Sequence, residues 1–386
     1  MDKKKMLMVG PGRGHNILPI IKEFNKGEFF FVDFMCHSLE FQQIDYADIN
    51  FMQIPKVSSK FSSKLRYIYF IIRHSIFGAK YDVLLLQGGL GLFELFLMLF
   101  VNAKVKIYNC WSNQIIDYAT EKNLQGRVAK SILSFADYVF LNWYGIKERF
   151  EVLFPCWSNK SVLSFWGIDD FFFMPSSNNI ESGFVENFLK KIPDNTIVCF
   201  WPRSFIRANR QDLVVKALSL LKDRVPDVLT NFVIYLWAGN VEDAIFRKEI
   251  ETLIINCDLE LNVKIVDHPF VSNKDIRIIE NRSDFFIQIS DHDILSTFII
   301  EVLLQEKDII LSNIRPYQCL NDIFKMNLSL VNNDIESIAD ALKEKLINMD
   351  ICDKKILELR RKICEENFKF SRNYPKLIRL MYSLVS

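Results

Sequence analysis

Three segments in the second half of the chain join strand-like runs to side chains that could do chemistry. Trp201-Pro202-Arg203 closes an apolar run, and Arg207 and Arg210 follow it ahead of a helical stretch. Guanidinium groups offer paired donors and a fixed charge, and a helix start adds positive potential, so the pattern suits a diphosphate. A solvated basic turn is the plainer alternative. Further on, Phe285-Phe286-Ile287-Gln288-Ile289 runs into Ser290-Asp291-His292-Asp293 and then Ile294-Leu295-Ser296-Thr297-Phe298-Ile299-Ile300-Glu301. Ser296 is a favoured N-cap, which sets Glu301 a little over one turn into an apolar helix. A carboxylate on such a face needs donors: the adjacent hydroxyls of a ribose, or an internal lysine or arginine. The third segment, His268-Pro269-Phe270, could line a nucleotide base or simply turn the chain.

The first half offers glycines at the end of a strand. Gly10-Pro11-Gly12-Arg13-Gly14-His15 lets backbone amides approach a ligand closely, although it lacks the GxGxxG spacing of a dinucleotide fingerprint. Gln87-Gly88-Gly89 and Trp111-Ser112-Asn113 end later runs in the same way.

These residues need strands and helices to position them. Apolar, β-rich runs at 5–10, 28–36, 81–87, 104–110 and 136–142 alternate with helical patterns at 16–25, 58–77, 90–101 and 120–135. After a stretch rich in Pro, Ser and Asn near residue 175, strands recur at 196–201, 231–237, 263–266, 284–289, 308–311 and 328–331. Helices are expected between them at 210–222, 241–256, 273–281, 296–306 and 335–347. Alternation of this kind predicts parallel sheets with crossover helices, in an α/β fold. At 386 residues the chain fits two domains, placed at 1–172 and 173–372, with a last helix at 373–386 packing back on the first. Ligands of doubly wound sheets sit at the carboxyl ends of strands.

The totals narrow the function classes. Lys and Arg number 48 against 47 Asp and Glu, so nothing pulls the whole chain toward nucleic acid. The eight cysteines form no CxxC pair and read as reduced thiols of a cytoplasmic protein, not as a zinc site. No secretory signal or membrane-spanning run is expected, because the longest apolar stretch, 90–101, is too short and carries Glu94. Residues 49–81 hold six Lys or Arg and no acid, interleaved with Phe, Tyr, Leu and Ile. That mixture suits peripheral contact with an anionic membrane surface, or a core helix with a basic rim.

The second half resembles the donor domain of the family 4 retaining glycosyltransferases. That family carries two acidic residues eight positions apart, ahead of and inside one helix. Asp293 and Glu301 have this spacing, with Asp in place of the usual first Glu and Ser296 between them. The family's Arg-then-Lys pair on the diphosphate resembles Arg203 followed by Arg207, Asn209 or Arg210. Trp166-Gly167-Ile168-Asp169 is similar to the turn ahead of its donor domain. Asn209 stands where the family has Lys, and Leu303 and Glu306 stand where it has a small residue and a glycine.

The resemblance implies two Rossmann-like doubly wound domains facing across a cleft, the B-type glycosyltransferase fold. It implies retaining transfer of a sugar from a nucleotide-diphosphate sugar to a glycan or lipid-linked acceptor, in bacterial surface polysaccharide or glycoconjugate synthesis. Arg203, Asp293 and Glu301 would be the catalytic set. Arg207, Arg210, His268, Ser296 and Thr297 would join them in holding the donor, with no metal or other cofactor. Gly12, Arg13, Gly14, His15 and Asn113 would face the acceptor. Two other readings stay open: a metal-dependent A-type enzyme using Asp291 and Asp293, and a non-catalytic partner protein with the same fold.

Overall fold

In the computed structural model of the chain, the described residues are 2–10, 20, 23–24, 26, 29–36, 49–54, 69–70, 72–73, 79–89, 91–110, 114–174, 182–237, 243–267, 272–348 and 353–386. They form two compact units, Met1–Asp169 with Phe368–Ser386, and Asp170–Asn367.

The first unit is built on strands β1 (Lys4–Val9), β2 (Phe30–Cys36), β3 (Ile49–Gln53), β4 (Tyr81–Gln87), β5 (Ala103–Cys110), β6 (Tyr138–Leu141) and β7 (Ser161–Leu163). Their order is β3-β2-β1-β4-β5-β6-β7, and every neighbouring pair is parallel. Helices cover both faces of such a sheet, so central strands are apolar throughout instead of alternating. Met6, Leu7, Met8 and Val9 of β1 are all buried, as are Val83 to Leu86 of β4. Helices α1 (Leu92–Phe100), α2 (Gln114–Thr120), α3 (Leu124–Phe135) and α4 (Tyr144–Leu153) belong to this unit. The strand order reverses between β1 and β4, where Gly10 follows β1. A Cβ there would meet the Cβ of Gln87 at 2.8 Å, so only glycine fits. Gln87 is buried and accepts from Asn109 Nδ2 at 2.8 Å.

Several elements differ from the sequence reading. The helix expected at 120–135 starts later, at Leu124. Asn123 caps α3 by accepting from the Gly126 amide at 2.8 Å, and this stops the preceding helix at Thr120. Strands β3 and β7 went unforeseen, since one is polar at its edge and the other has three residues. Helices α2 and α4 were also missed, as were three in the second unit.

That unit, Asp170–Asn367, orders its strands β10-β9-β8-β11-β12-β13, again all parallel. They are β8 (Ile197–Trp201), β9 (Phe232–Trp237), β10 (Val263–Val266), β11 (Phe285–Gln288), β12 (Asp308–Ser312) and β13 (Ser329–Val331). Helices α5 (Gly183–Lys190), α6 (Gln211–Arg224), α7 (Ala244–Asn256) and α8 (Asn273–Arg282) come first. After them come α9 (Thr297–Leu304), α10 (Arg315–Asp322), α11 (Ile335–Ile347) and α12 (Lys354–Asn367). The three that the sequence did not announce are α5, α10 and α12. The order reverses between β8 and β11, the position where doubly wound sheets bind ligands. Phe200, Trp201, Phe285 and Phe286 are almost wholly buried there and fix the two strands against the helices.

The last helix, α13 (Phe370–Ser383), packs on the first unit. Phe370, Tyr374, Leu377, Ile378 and Met381 form its buried stripe at helical spacing, against Phe24, Phe30 and Phe34. Each such side chain contributes about 1.5–3 kcal/mol by leaving water. Where the chain leaves this unit and returns, Ile168 N donates to Phe368 O (2.8 Å) and Phe370 N to Ile168 O (3.0 Å). Gly167 makes the strap possible. Its φ is +92°, and a Cβ would meet Phe368 O at 2.5 Å.

Candidate active site

Neighbouring β8 and β11, in register at Phe285 with Cys199, carry their following loops to the same edge of the second sheet. Arg203 follows β8 and Asp293 follows β11. Arg203 Nη2 donates to Asp293 Oδ2 at 3.1 Å, and Nη1 to Ser296 Oγ at 3.4 Å. Ser296 is the residue before α9, as its type predicts, but its hydroxyl accepts from this arginine and does not cap the helix.

Asp293 is held from several sides. Its Oδ2 accepts from Gln288 Nε2 and from the Tyr317 hydroxyl, both at 2.7 Å, and its Oδ1 accepts from the Ile294 amide at 2.7 Å. Gln288 and Tyr317 are fully buried and lie 2.5 Å apart. Burial, and then the Asp293 carboxylate, push the Tyr317 phenol well up, so it remains a donor. Two buried polar atoms beside this network lack a protein partner: Arg203 Nε and Gln288 Oε1.

Arg207 and Arg210 serve a second, adjacent group. Arg207 Nη2 meets Glu249 at 2.7 Å, with the guanidinium 5.3 Å from the Phe246 ring centre. Arg210 pairs with Asp291 at 3.0 Å and with Asp212 at 3.2 Å. Both line a cleft of about 480 Å³ floored by Phe246, Ile250 and Leu253. Arg210 sits in the left-handed region at φ 45°, a strained backbone for a side-chain-bearing residue, directly before α6. Asn209, at the family's Lys position, is buried and donates to Ser204 O at 2.8 Å, which ties down the loop. Asp291 N and Ser290 Oγ both bond Ala208 O, at 2.9 and 3.0 Å, so the two loops are stitched together.

Glu301 lies on α9 as the spacing requires, out of contact with most solvent. The ion pair that could have explained it is missing: among the described residues no lysine or arginine pairs with Glu301. Burial raises its carboxyl to about 7, and a hydrogen bond with Thr297 pulls the other way. One turn along, Gln305 bonds Glu280, a wholly buried carboxyl of α8. Burial first, and then Glu301, push Glu280 well up as well. The sequence reading missed Gln288, Tyr317, Glu280 and Gln305. Only Gln288 left a signal, as the polar end of an apolar strand.

Among the described residues, no group of three or more His, Cys, Asp or Glu is placed to hold a metal ion. Asp291 and Asp293 are each neutralised by a different arginine. His268, Gly12, Arg13, Gly14, His15 and Asn113 lie outside the described residues, as does most of 49–81.

No protein-family model matches the sequence, and no curated protein matches it. Solved structures do match. A glycosyltransferase from Rickettsia africae is 18% identical, with a TM-score of 0.72 over 100% of this chain and 99% of its own. Anabaena HepE in complex with UDP-glucose is 13% identical, with a TM-score of 0.73 over 98% and 100%. Sucrose-phosphate synthase from Thermosynechococcus elongatus is 16% identical, with a TM-score of 0.72 over 99% and 99%. The chain has the B-type glycosyltransferase fold. In that glycosyltransferase fold, its Arg203–Asp293 pair joins the two loops that follow the switch-point strands, and Glu301 lies on the helix after the second of them.

Proposed function

We propose that the chain is a glycosyltransferase that takes a sugar from a nucleotide-diphosphate sugar, with the donor held by the second unit. Glu301 carries this reading. A carboxylate on an apolar helix beside the switch point, with no cation paired to it among the described residues, is matched by a ligand's paired hydroxyls. The fold adds support, since solved relatives of it hold UDP and UDP-glucose.

In this reaction the bond from the anomeric carbon to the diphosphate oxygen breaks, and an acceptor hydroxyl oxygen takes its place on the same face. The hydroxyl proton passes to the departing phosphate. Negative charge grows on the diphosphate as it leaves, and Arg203 stabilises it, oriented beforehand by Asp293. Arg207 and Arg210 add positive charge at the adjacent cleft. Glu301 receives the ribose hydroxyls, and Asp293, Ser296 and Thr297 with nearby amides face the sugar. The acceptor is a glycan or a lipid-linked glycan, in surface polysaccharide or glycoconjugate synthesis. The basic 49–81 segment would bring the protein to an anionic membrane. In the described residues no helix is long and apolar enough to cross one.

A melting-point screen against UDP, GDP, TDP and ADP tests the donor site, because a ligand that binds only the folded state raises the melting temperature. At least one diphosphate is expected to raise it. No shift with any of the four overturns the reading. Binding without transfer or hydrolysis of the matching sugar nucleotide would make the chain a non-catalytic relative.

A further inference from the structure

Glu280 is a carboxyl group with no solvent exposure, and nothing in the proposed reaction uses it. It lies on α8. Its Oε2 accepts from Gln305, which sits four residues after Glu301 and so on the same face of that helical stretch. The bond therefore places the Glu280 carboxyl within about a turn of Glu301. Around it lie three buried polar atoms without protein partners: Glu280 Oε1, Gln305 Oε1 and Arg277 Nε.

The other charges nearby are already engaged. Arg277, one turn back on α8, donates to Phe171 O at 3.2 Å and lies over the Phe171 ring. Arg361, on the α12 helix packed against α9, bonds Glu306 and Glu365 at 2.9 Å each. On α5, packed against α8, Glu186 and Lys190 pair with each other at the surface. Asp275 is drawn to its own helix start at Ser272, and Asp170 stands in the short turn before Phe171. Of these cations Arg277 does act on Glu280, but its attraction is outweighed by burial and by the neighbouring Glu301 carboxylate.

We propose that Glu280 is a positioning residue for the donor site, holding the one proton of a buried carboxyl pair so that Glu301 alone presents a negative charge to the nucleotide. This rests on Glu301 facing the nucleotide. Two carboxylates so close and so buried do not both ionise, and the more deeply buried one keeps the proton. Glu280 is that one. Its Oε1–H then has a use for the orphaned oxygen, and Glu301 sends its own proton to solvent as it ionises near neutral pH.

Two measurements decide it. Infrared difference spectra of the whole chain, wild type minus Glu280→Gln, at about pH 8 are expected to show a protonated carboxylic-acid carbonyl band that the variant lacks. Absence of that band, or its survival in the variant, overturns the proposal. UDP titrations at several pH values form the second arm, with Kd tightening in the wild type as pH rises through about 7. Glu280→Leu removes the polar neighbour of the charged form, so the midpoint is expected to move up by at least one unit. UDP then binds about tenfold more weakly at neutral pH, with recovery in alkali. A lowered melting temperature with an unmoved midpoint would make Glu280 a packing residue and sink the idea. Failure of the wild type to bind UDP at any pH would remove the nucleotide site instead, leaving the infrared result to judge the pair itself.

Discussion

Arg203 stands 3.1 Å from Asp293, a contact between residues 90 positions apart that joins the loop after β8 to the loop after β11. The carboxylate does not hold the guanidinium alone. Tyr317 and Gln288 fix the same Asp293 oxygen from the buried side, so the orientation of Arg203 rests on side chains that never reach the surface.

Replacing Tyr317 by Phe tests that chain of contacts. The change removes one donor to a charged acceptor, worth about 1.5–3 kcal/mol. Stability in urea is expected to fall by that order, and turnover to fall with it as Arg203 loses its fixed direction. An Asn at Gln288 would shorten the second donor and act in the same sense. Unchanged stability and unchanged turnover in Tyr317→Phe would show that Asp293 does not need the phenol.

Much of this arrangement was legible in the chain because it sits at punctuation. Arg203 and Asp293 end apolar runs, and Glu301 interrupts one, so residue type alone drew attention to them. Tyr317 and Glu280 lie inside ordinary helical patterns, where periodicity gives a face but never a partner. The contacts that give them meaning span 24 residues, for Tyr317 with Asp293, and 25, for Gln305 with Glu280. The parallel sheets were readable for a similar reason, since doubly covered strands are uniformly apolar. Strand β3 escaped because an edge strand can be half polar, and β7 because three residues carry no period. The break before α3 was written in Asn123 and Gly126, a capping pair that an apolar count overlooks.

Arginines, and not a metal ion, carry the diphosphate charge in the proposed mechanism. Turnover with excess chelator is therefore expected to stay near its starting value. Complete loss, restored by manganese, would transfer the role to the Asp291 and Asp293 carboxylates.

Residues 49–81 contain six basic side chains and no acid. Each basic group near an anionic surface contributes about 1 kcal/mol, so co-sedimentation with anionic vesicles is expected at low salt and not with neutral ones. Equal behaviour with both would reduce the segment to core and rim.

Glu301→Gln separates a ligand-binding carboxylate from a structural one. Charge-assisted bonds to two hydroxyls weaken when the acceptor becomes neutral, and at about 1.5–3 kcal/mol the loss corresponds to roughly one to two orders of magnitude in nucleotide affinity. The unliganded protein is expected to respond in the opposite direction. The Glu301 carboxyl ionises at about 7 when folded, against an ordinary value of 4.5, so the folded state holds the proton longer than the unfolded one. Its favourable contribution is complete in acid and fades as pH rises through that window. Above it the buried charge is a burden of up to about 3 kcal/mol, at about 1.36 kcal/mol for each pKa unit. The variant is therefore expected to melt with the wild type near pH 4.5 and above it near pH 8, while binding UDP far more weakly at the higher pH. Paired melting curves and calorimetric titrations at the two pH values measure both effects. A variant that melts lower at the higher pH and binds UDP as tightly as the wild type would mark Glu301 as half of an internal ion pair, and the donor site would have to be sought elsewhere.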